Sequence, residues 1–386
     1  MLTTLAKRTL PPQSIDALKQ FRDSDQGLRA ARLLQRFRDV AQLRWLGLIR
    51  LSPHLSSVHY ALFSSAFARE HQGVVDGRWK YLKDKEQARS SQFLLRRNVH
   101  RLEKGLLMRP RKPVFALDFI EETVEVYRLT ISAYANGATP ADADAGEVIW
   151  ARDVLARYFE AVAPHPTVDR ARRVVEAIQF PPALSYASER GCRTLAPYAR
   201  DLEQPPSVGY DALYELAKRR RSVRWYRREP VPRELIDRAV QVAAQAPSAC
   251  NRQPFQFRIF DQPNIVQEIV SLPTGTPGYR ENIPVVVVVV GRLSAYFDER
   301  DRHGIYIDGS LATMSFILAL ESQGLSSCCI NWPEIGSLEQ SMAELLGLEP
   351  NERVIMLVAV GYPDPEGQVA YSHKRSLGQL RTYNRL

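Results

Sequence analysis

Cysteine is scarce in this chain: four among 386 residues, Cys192, Cys250, Cys328 and Cys329, the last two adjacent. That spacing builds neither a disulfide framework nor a CxxC metal pair, so all four read as reduced thiols and no metal site is expected. Long apolar runs are missing too. No uncharged stretch reaches the ~18 residues of a membrane-crossing helix. The opening segment, with Lys7, Arg8 and Pro11-Pro12, lacks a signal-peptide core, so a cytoplasmic location is expected. No segment of the first half repeats a motif of the second, which excludes two copies of one module.

What is present is ordinary globular composition, 45% apolar and 25% charged, in a chain too long for one average domain. The net charge of +9 lies entirely in residues 1–205, while the rest balances 20 basic against 20 acidic residues. A basic half can face nucleic acid, an anionic membrane surface or an acidic partner. Here most bases interleave with acids at helical spacing, the pattern of a solvated helical surface, and no nucleic acid is expected. A protein or membrane-surface partner for this half stays open.

Residues 13–70 read as helices whose Leu28, Ala31, Leu33, Leu34, Phe37, Val40 and Leu43 recur at three- and four-residue intervals, a core-facing stripe. Leu43 to Leu55 joins a tryptophan, aliphatics and two arginines, and can pack on other helices or lie on a membrane surface. Helices are expected over Gln92–Leu107 and Phe119–Ala133, around a basic loop from Met108 to Pro113. A polar loop follows over residues 136–147, then a helix over Val148–Ala163. Glu203 to Gly209 marks the expected boundary, dividing a mainly helical region, 1–205, from a second domain, 206–386.

Beyond that boundary the pattern becomes mixed. Helices are expected over Tyr210–Arg219, from Val231 to about Ala244, over Tyr306–Gln323, and from a Ser337 cap to Leu346. Strands are expected over Phe255–Phe260, Val285–Val290, Ser327–Ile330 and Arg353–Val360. The β-branched run at Val285 suits a strand buried on both faces. Without strict βαβ alternation the class is α+β, with a mixed or antiparallel sheet flanked by helices.

Arg219, Arg220, Arg221, Ser222 and Arg224 crowd cations and a hydroxyl at a helix end, where guanidinium forks suit a phosphate dianion. Pro247-Ser248-Ala249-Cys250-Asn251 follows the next helix, a turn exposing backbone N–H groups, a hydroxyl and an amide. His373-Lys374-Arg375, after the turn Gly361-Tyr362-Pro363, can close on the same phosphate.

With these segments in this order, the chain resembles the FMN-dependent nitroreductase family over residues 208–380. The shared marks are the arginine-serine-arginine segment, Pro-Ser-x-x-Asn-x-Gln-Pro from Pro247, Asn282-x-Pro284-Val285, a long Ala/Leu helix entering a Gly-Leu-x-Ser-Cys strand, and Gly-Tyr-Pro before the basic tail. The resemblance implies a homodimer with FMN at the subunit interface and NADH or NADPH as electron donor. It implies that Arg220, Arg221, Ser222 and Arg224 hold the phosphate and ribityl chain. Pro247, Ser248, Ala249 and Asn251 would line the flavin from the partner, Ile330 and Asn331 would lie near the ring, and Lys374 or Arg375 would complete the phosphate site. Two departures stand out: Ala249 where members commonly carry a second serine, and Asn331-Trp332-Pro333-Glu334 where they carry glycine or an acid. Trp332 then either caps the flavin and narrows the substrate pocket or fills the core. The N-terminal half has no counterpart in single-module members.

The expected activity is a ping-pong reduction of a small-molecule or carrier-bound acceptor, with the chemistry on FMN and no catalytic side chain required. His100 is the isolated proton-donor candidate; a helix-surface histidine is its plainer reading. Cys328 and Cys329 read as small apolar residues of a strand rather than a redox dithiol, since adjacent cysteines close only a strained ring. The alternative is a non-catalytic flavin-fold assembly or scaffold protein whose basic helical half binds a partner.

Overall fold

A computed structural model of the chain describes residues 24–86, 92–136, 145–181, 194–200, 202–203 and 205–384. It divides into two compact units, Met1–Arg69 and Glu70–Leu386.

The first unit holds α1 (Asp25–Ile49) and α2 (Pro53–Leu62). Ser52 caps α2, accepting from the His54 amide at 3.2 Å, with Pro53 in the first turn where its missing N–H costs nothing. The two helices are joined by Trp45 Nε1 donating to His59 Nδ1 at 3.1 Å and Ser56 Oγ donating to the Ile49 carbonyl at 3.0 Å. The core-facing stripe expected on α1 is not buried: Leu28, Leu33, Leu34, Phe37, Val40 and Leu43 are all exposed, Phe37 at 74%. The reason is length. A ten-residue helix cannot cover one of 25 residues, and Ile49 alone is buried among the described residues of this unit. The Ala31 side chain and residues 13–23 lie outside what is described.

In the second unit, α3 (Ala68–Glu86), α4 (Gln92–Leu107), α5 (Ile120–Ala135), α6 (Ala145–Ala161) and α7 (Pro166–Glu176) share one core, with Leu95, Val99, Leu102, Ile120, Tyr127, Val154, Leu155 and Tyr158 at its centre. The basic loop from Met108 lies between α4 and α5, while most of the polar loop at 136–147 falls outside the described residues. Then come α8 (Tyr210–Arg219), α9 (Arg233–Ala243), β1 (Phe255–Phe260), α10 (Pro263–Ser271), β2 (Val285–Arg292), α11 (Gly304–Ser322), β3 (Ser326–Asn331), α12 (Gly336–Leu346), β4 (Glu352–Gly361) and α13 (Leu377–Leu380). The four strands pair antiparallel in the order β1-β2-β4-β3.

The valine run works as its composition predicts. Val285, Val287 and Val289 enter a core with Ala239 of α9 and Phe316 of α11, while Val286, Val288 and Val290 enter another with Val266 of α10 and Met342 of α12. Alternation places successive side chains on opposite faces, so a strand covered on both sides needs a continuous apolar run. The α11 region, Glu299–Ser322, is long and apolar enough to cross a membrane by length and composition; half of that window is buried, as befits a core helix. The Ser337 cap is not formed: α12 begins at Gly336 without a side-chain cap and ends on Gly347 in the left-handed conformation, φ 62°.

The helical core and the sheet meet within this unit. A Cβ on Gly77 would lie 2.7 Å from the Leu293 carbonyl carbon, and one on Gly73 2.9 Å from the Pro350 carbonyl oxygen. Glycine is what lets α3 approach the loops that flank β2 and β4 so closely. Ion pairs Arg78–Glu299 and Lys80–Glu349, and Asn351 Nδ2 donating to Asp76 Oδ2 at 3.1 Å, run along the same contact. The compact units divide at Arg69/Glu70, and the first strand begins at Phe255.

Candidate functional site

The arginine segment leaves the end of α8 and runs beside β3. Ser222 bridges Ser327, and the Val223 amide donates to the Ser327 carbonyl at 3.0 Å. Its far end is pinned by Tyr226, buried and donating its hydroxyl to the Val223 carbonyl at 2.6 Å. Asn282 of the Asn-x-Pro motif binds the Tyr226 backbone in both directions, which gives that motif a structural task. Arg219 pairs with Glu321 at 3.1 Å and is occupied. Among the described residues Arg220, Arg221 and Arg224 have no carboxylate partner, and the Nε of Arg220 is buried without an acceptor. Such a group costs about 1–3 kcal/mol unless a ligand supplies the acceptor. This orphaned donor fits a phosphate.

Cys328 lies in the core beside Ser222, and burial pushes its thiol pKa up. Cys329 is exposed on the opposite face of β3. Consecutive strand residues point apart, so the two sulfurs do not form a dithiol site. By the same alternation Asn331 is exposed beside Cys329, whereas the Ile330 side chain faces the core. The Trp332 indole is buried in the core, with Nε1 donating to Glu339. Lys374 and Arg375 sit on an exposed irregular tail. That tail departs next to the arginine segment, because the Asp364 amide donates to the Trp225 carbonyl at 3.0 Å.

The second segment is a tight loop entering β1. Cys250, Asn251 and Gln253 all adopt left-handed φ, at 54°, 51° and 50°. Non-glycine residues occupy that region at a cost, and runs of them mark places where surrounding contacts over-determine the backbone. Those contacts are on view. The Gln253 amide donates to Ser248 Oγ at 3.1 Å, and Gln253 Nε2 to Asn251 Oδ1 at 3.0 Å. The Ala249 amide donates to Asp308 Oδ2 at 3.0 Å, and buried Arg252 donates to the Ala249 carbonyl at 3.2 Å. Tyr296 donates its hydroxyl to Asp308 at 3.3 Å, and Arg96 of α4 donates Nε to the Asn251 carbonyl at 2.9 Å. Ser248 and Asn251 thus spend side-chain capacity on the loop itself, while Pro247 and Ala249 are exposed.

Arg96, Arg252, Tyr296 and Asp308 hold the loop although none stood out in the sequence. Only Asp308 left a signal there, as the one acid inside the apolar run of α11 before Glu321. Burial raises the Asp308 carboxyl above the ordinary aspartate range. The folded chain therefore keeps this proton to higher pH than the unfolded chain, so its contribution to stability declines as pH rises through the gap. Urea titrations through the acid range should show that decline in the native chain and a flatter profile in Asp308→Asn.

The two segments do not converge within one chain. β1 and β3 are opposite edges of the sheet, three strand spacings or ~14 Å apart. The loop meets the end where Phe255 pairs with Gly291, whereas Ser222 lies at Ser327, which pairs with Val360 at the other end. They occupy diagonal corners. A cavity of about 670 Å³ adjoins the loop, lined by Arg96, Glu103, Glu147, Trp150, Tyr198 and Asn251 among others. His100 faces Glu103 one turn along its own helix, Nδ1 to Oε2 at 3.6 Å.

The sheet, the arginine segment and the strained loop all fall within one match. The profile of the Nitroreductase family covers residues 217–276 and 279–362. The C-terminal half carries a Nitroreductase-family domain. The nitroreductase domain is 29% identical over 182 residues to a protein named NADH dehydrogenase from Thermus thermophilus, a match covering 39% of this chain and 86% of that one. It is 25% identical over 195 residues to human iodotyrosine deiodinase 1, covering 43% of this chain and 66% of the human protein. Among solved structures, a protein from Parabacteroides distasonis titled as a putative NADH dehydrogenase/NAD(P)H nitroreductase aligns with TM-score 0.40 and 22% identity, over 45% of this chain and 98% of that one. The N-terminal helical region lies outside the matched profile.

Proposed function

We propose that the chain is an FMN-dependent oxidoreductase, working in the cytoplasm as a homodimer with FMN at the subunit interface, that takes electrons from NADH or NADPH and reduces a small-molecule or carrier-bound acceptor. The buried, acceptor-less Nε of Arg220, beside two further guanidinium groups without carboxylate partners, carries this reading. FMN, when bound, would supply two-electron transfer between donor and acceptor taken in turn in one pocket. The rest falls to the protein. Arg220, Arg221, Ser222 and Arg224 would bind the phosphate and ribityl chain, with Lys374 or Arg375 closing over it. The exposed backbone of Pro247 to Asn251 and the Asn331 end of β3 would face the ring. The held loop keeps its N–H groups oriented, so no side chain need move a proton for the cofactor to be positioned.

The diagonal placement supports a dimer, since a loop from a second copy could meet an arginine segment that its own loop does not reach. Ile307, Leu311 and Met314, one exposed stripe of α11 at four- and three-residue spacing, offer an apolar surface for that contact. The acceptor is left open by relatives named for two different activities, an NADH dehydrogenase and an iodotyrosine deiodinase.

Purified protein should be yellow and bleach on adding NADH or NADPH without oxygen, regaining colour with an acceptor. A colourless dimer that neither retains added FMN nor oxidises either nucleotide would overturn the proposal and favour a scaffold role.

A further inference from the structure

We propose that α1 and α2 form a peripheral docking element for an anionic phospholipid surface. Residues 24–69 contain seven arginines, no lysine, no glutamate and two aspartates, Asp25 and Asp39. On α1 the exposed Leu33, Leu34, Phe37, Val40 and Leu48 project from one side, at the spacing of a single helical face. Arg29, Arg32 and Arg36 follow one another along one flank of that face, beside exposed Leu43; Arg38 stands at its other border, and Arg44, four residues from both Val40 and Leu48, lies within it. Arginines so placed reach phosphate groups while their stems lie along the apolar boundary.

The far end of α1 adds what an interfacial helix uses at the headgroup level. Trp45 packs edge-on against His59 and Phe63, and Tyr60 against Phe67, with ring centroids 5.9, 6.4 and 4.6 Å apart. Amphipathic rings of this kind favour the membrane–water boundary. α2 buries none of its own residues, and its Leu55, Val58, Leu62 and Phe63 extend the exposed apolar surface. An apolar surface this continuous on a soluble chain marks an interaction site. Charge selects the occupant. A second copy would bring seven arginines against seven, whereas an anionic bilayer offers both the apolar layer and the phosphates. This inference does not depend on the flavin site.

The test is co-flotation of the full chain with vesicles of phosphatidylcholine alone and of phosphatidylcholine mixed equally with phosphatidylglycerol. The expected result is flotation with the mixed vesicles, weakened by salt, and little with phosphatidylcholine alone. Arg32→Ala/Arg36→Ala should weaken that partition about 25-fold, at about a fivefold loss for each arginine withdrawn from an anionic surface. Leu34→Glu/Phe37→Glu should abolish it while leaving the melting of the nitroreductase domain unchanged. Failure to float, equal binding to both vesicle types, or retention by Leu34→Glu/Phe37→Glu would overturn the proposal. So would sedimentation velocity showing that this variant breaks a self-association without altering flotation, which would assign the surface to a second copy.

Discussion

Replacing Arg220 and Arg224 with alanine will weaken FMN binding about a thousandfold while leaving the fold intact. Each lost charge-assisted hydrogen bond to a dianion is worth about 1.5–3 kcal/mol, so two give about 3–6 kcal/mol, with a thousandfold, about 4 kcal/mol, inside that span. Arg220 carries the larger share, since its buried Nε has no partner among the described residues. Folding survives because neither residue holds a carboxylate, and removing two of three neighbouring like charges relieves repulsion. Titration of FMN by quenching of its fluorescence, beside a thermal melt, reads both effects. Arg220→Lys should recover only part of the affinity, because an ammonium keeps the charge but not the planar fork. Full FMN retention in the double variant would remove the phosphate assignment.

The strands were legible because β-branched runs covered on both faces leave little alternative, and observed ends at 285–292 and 352–361 extend the expected ones by a residue or two. The arginine segment and the Pro-Ser-Asn loop were legible because their chemistry is local. The clamp on the loop was not. Asp308 and Arg96 reach it from 59 and 155 residues away, with Tyr296 donating to Asp308 behind it, and no periodicity announces such contacts. The burial of Trp332 and Ile330 depends on which face of β3 meets α12, a fact of tertiary packing. The stripe on α1 failed for a different reason: an amphipathic pattern states that a face will be covered and not by what, and in this unit the chain supplies too little to cover it.

Arg353→Met should be the most damaging single change to the sheet, costing about 3–5 kcal/mol by chemical denaturation. The Arg353 guanidinium is buried at the start of β4 and pairs with Glu339 of α12 at 3.2 Å and with Glu334 at 3.3 Å. Methionine removes the guanidinium that pairs with Glu339, while the Trp332 indole still donates to that buried carboxylate. Arg353→Met/Glu339→Gln should regain most of the loss, since the buried charge is then absent from both sides of the contact. The consequence reaches the site through β3. Asn331 pairs with Met356, three residues along β4 from Arg353, and Trp332 follows directly, so loosening this anchor should also lower FMN affinity in the single variant and restore it in the double. A single variant as stable as the native chain at neutral pH would show that the pair holds nothing there.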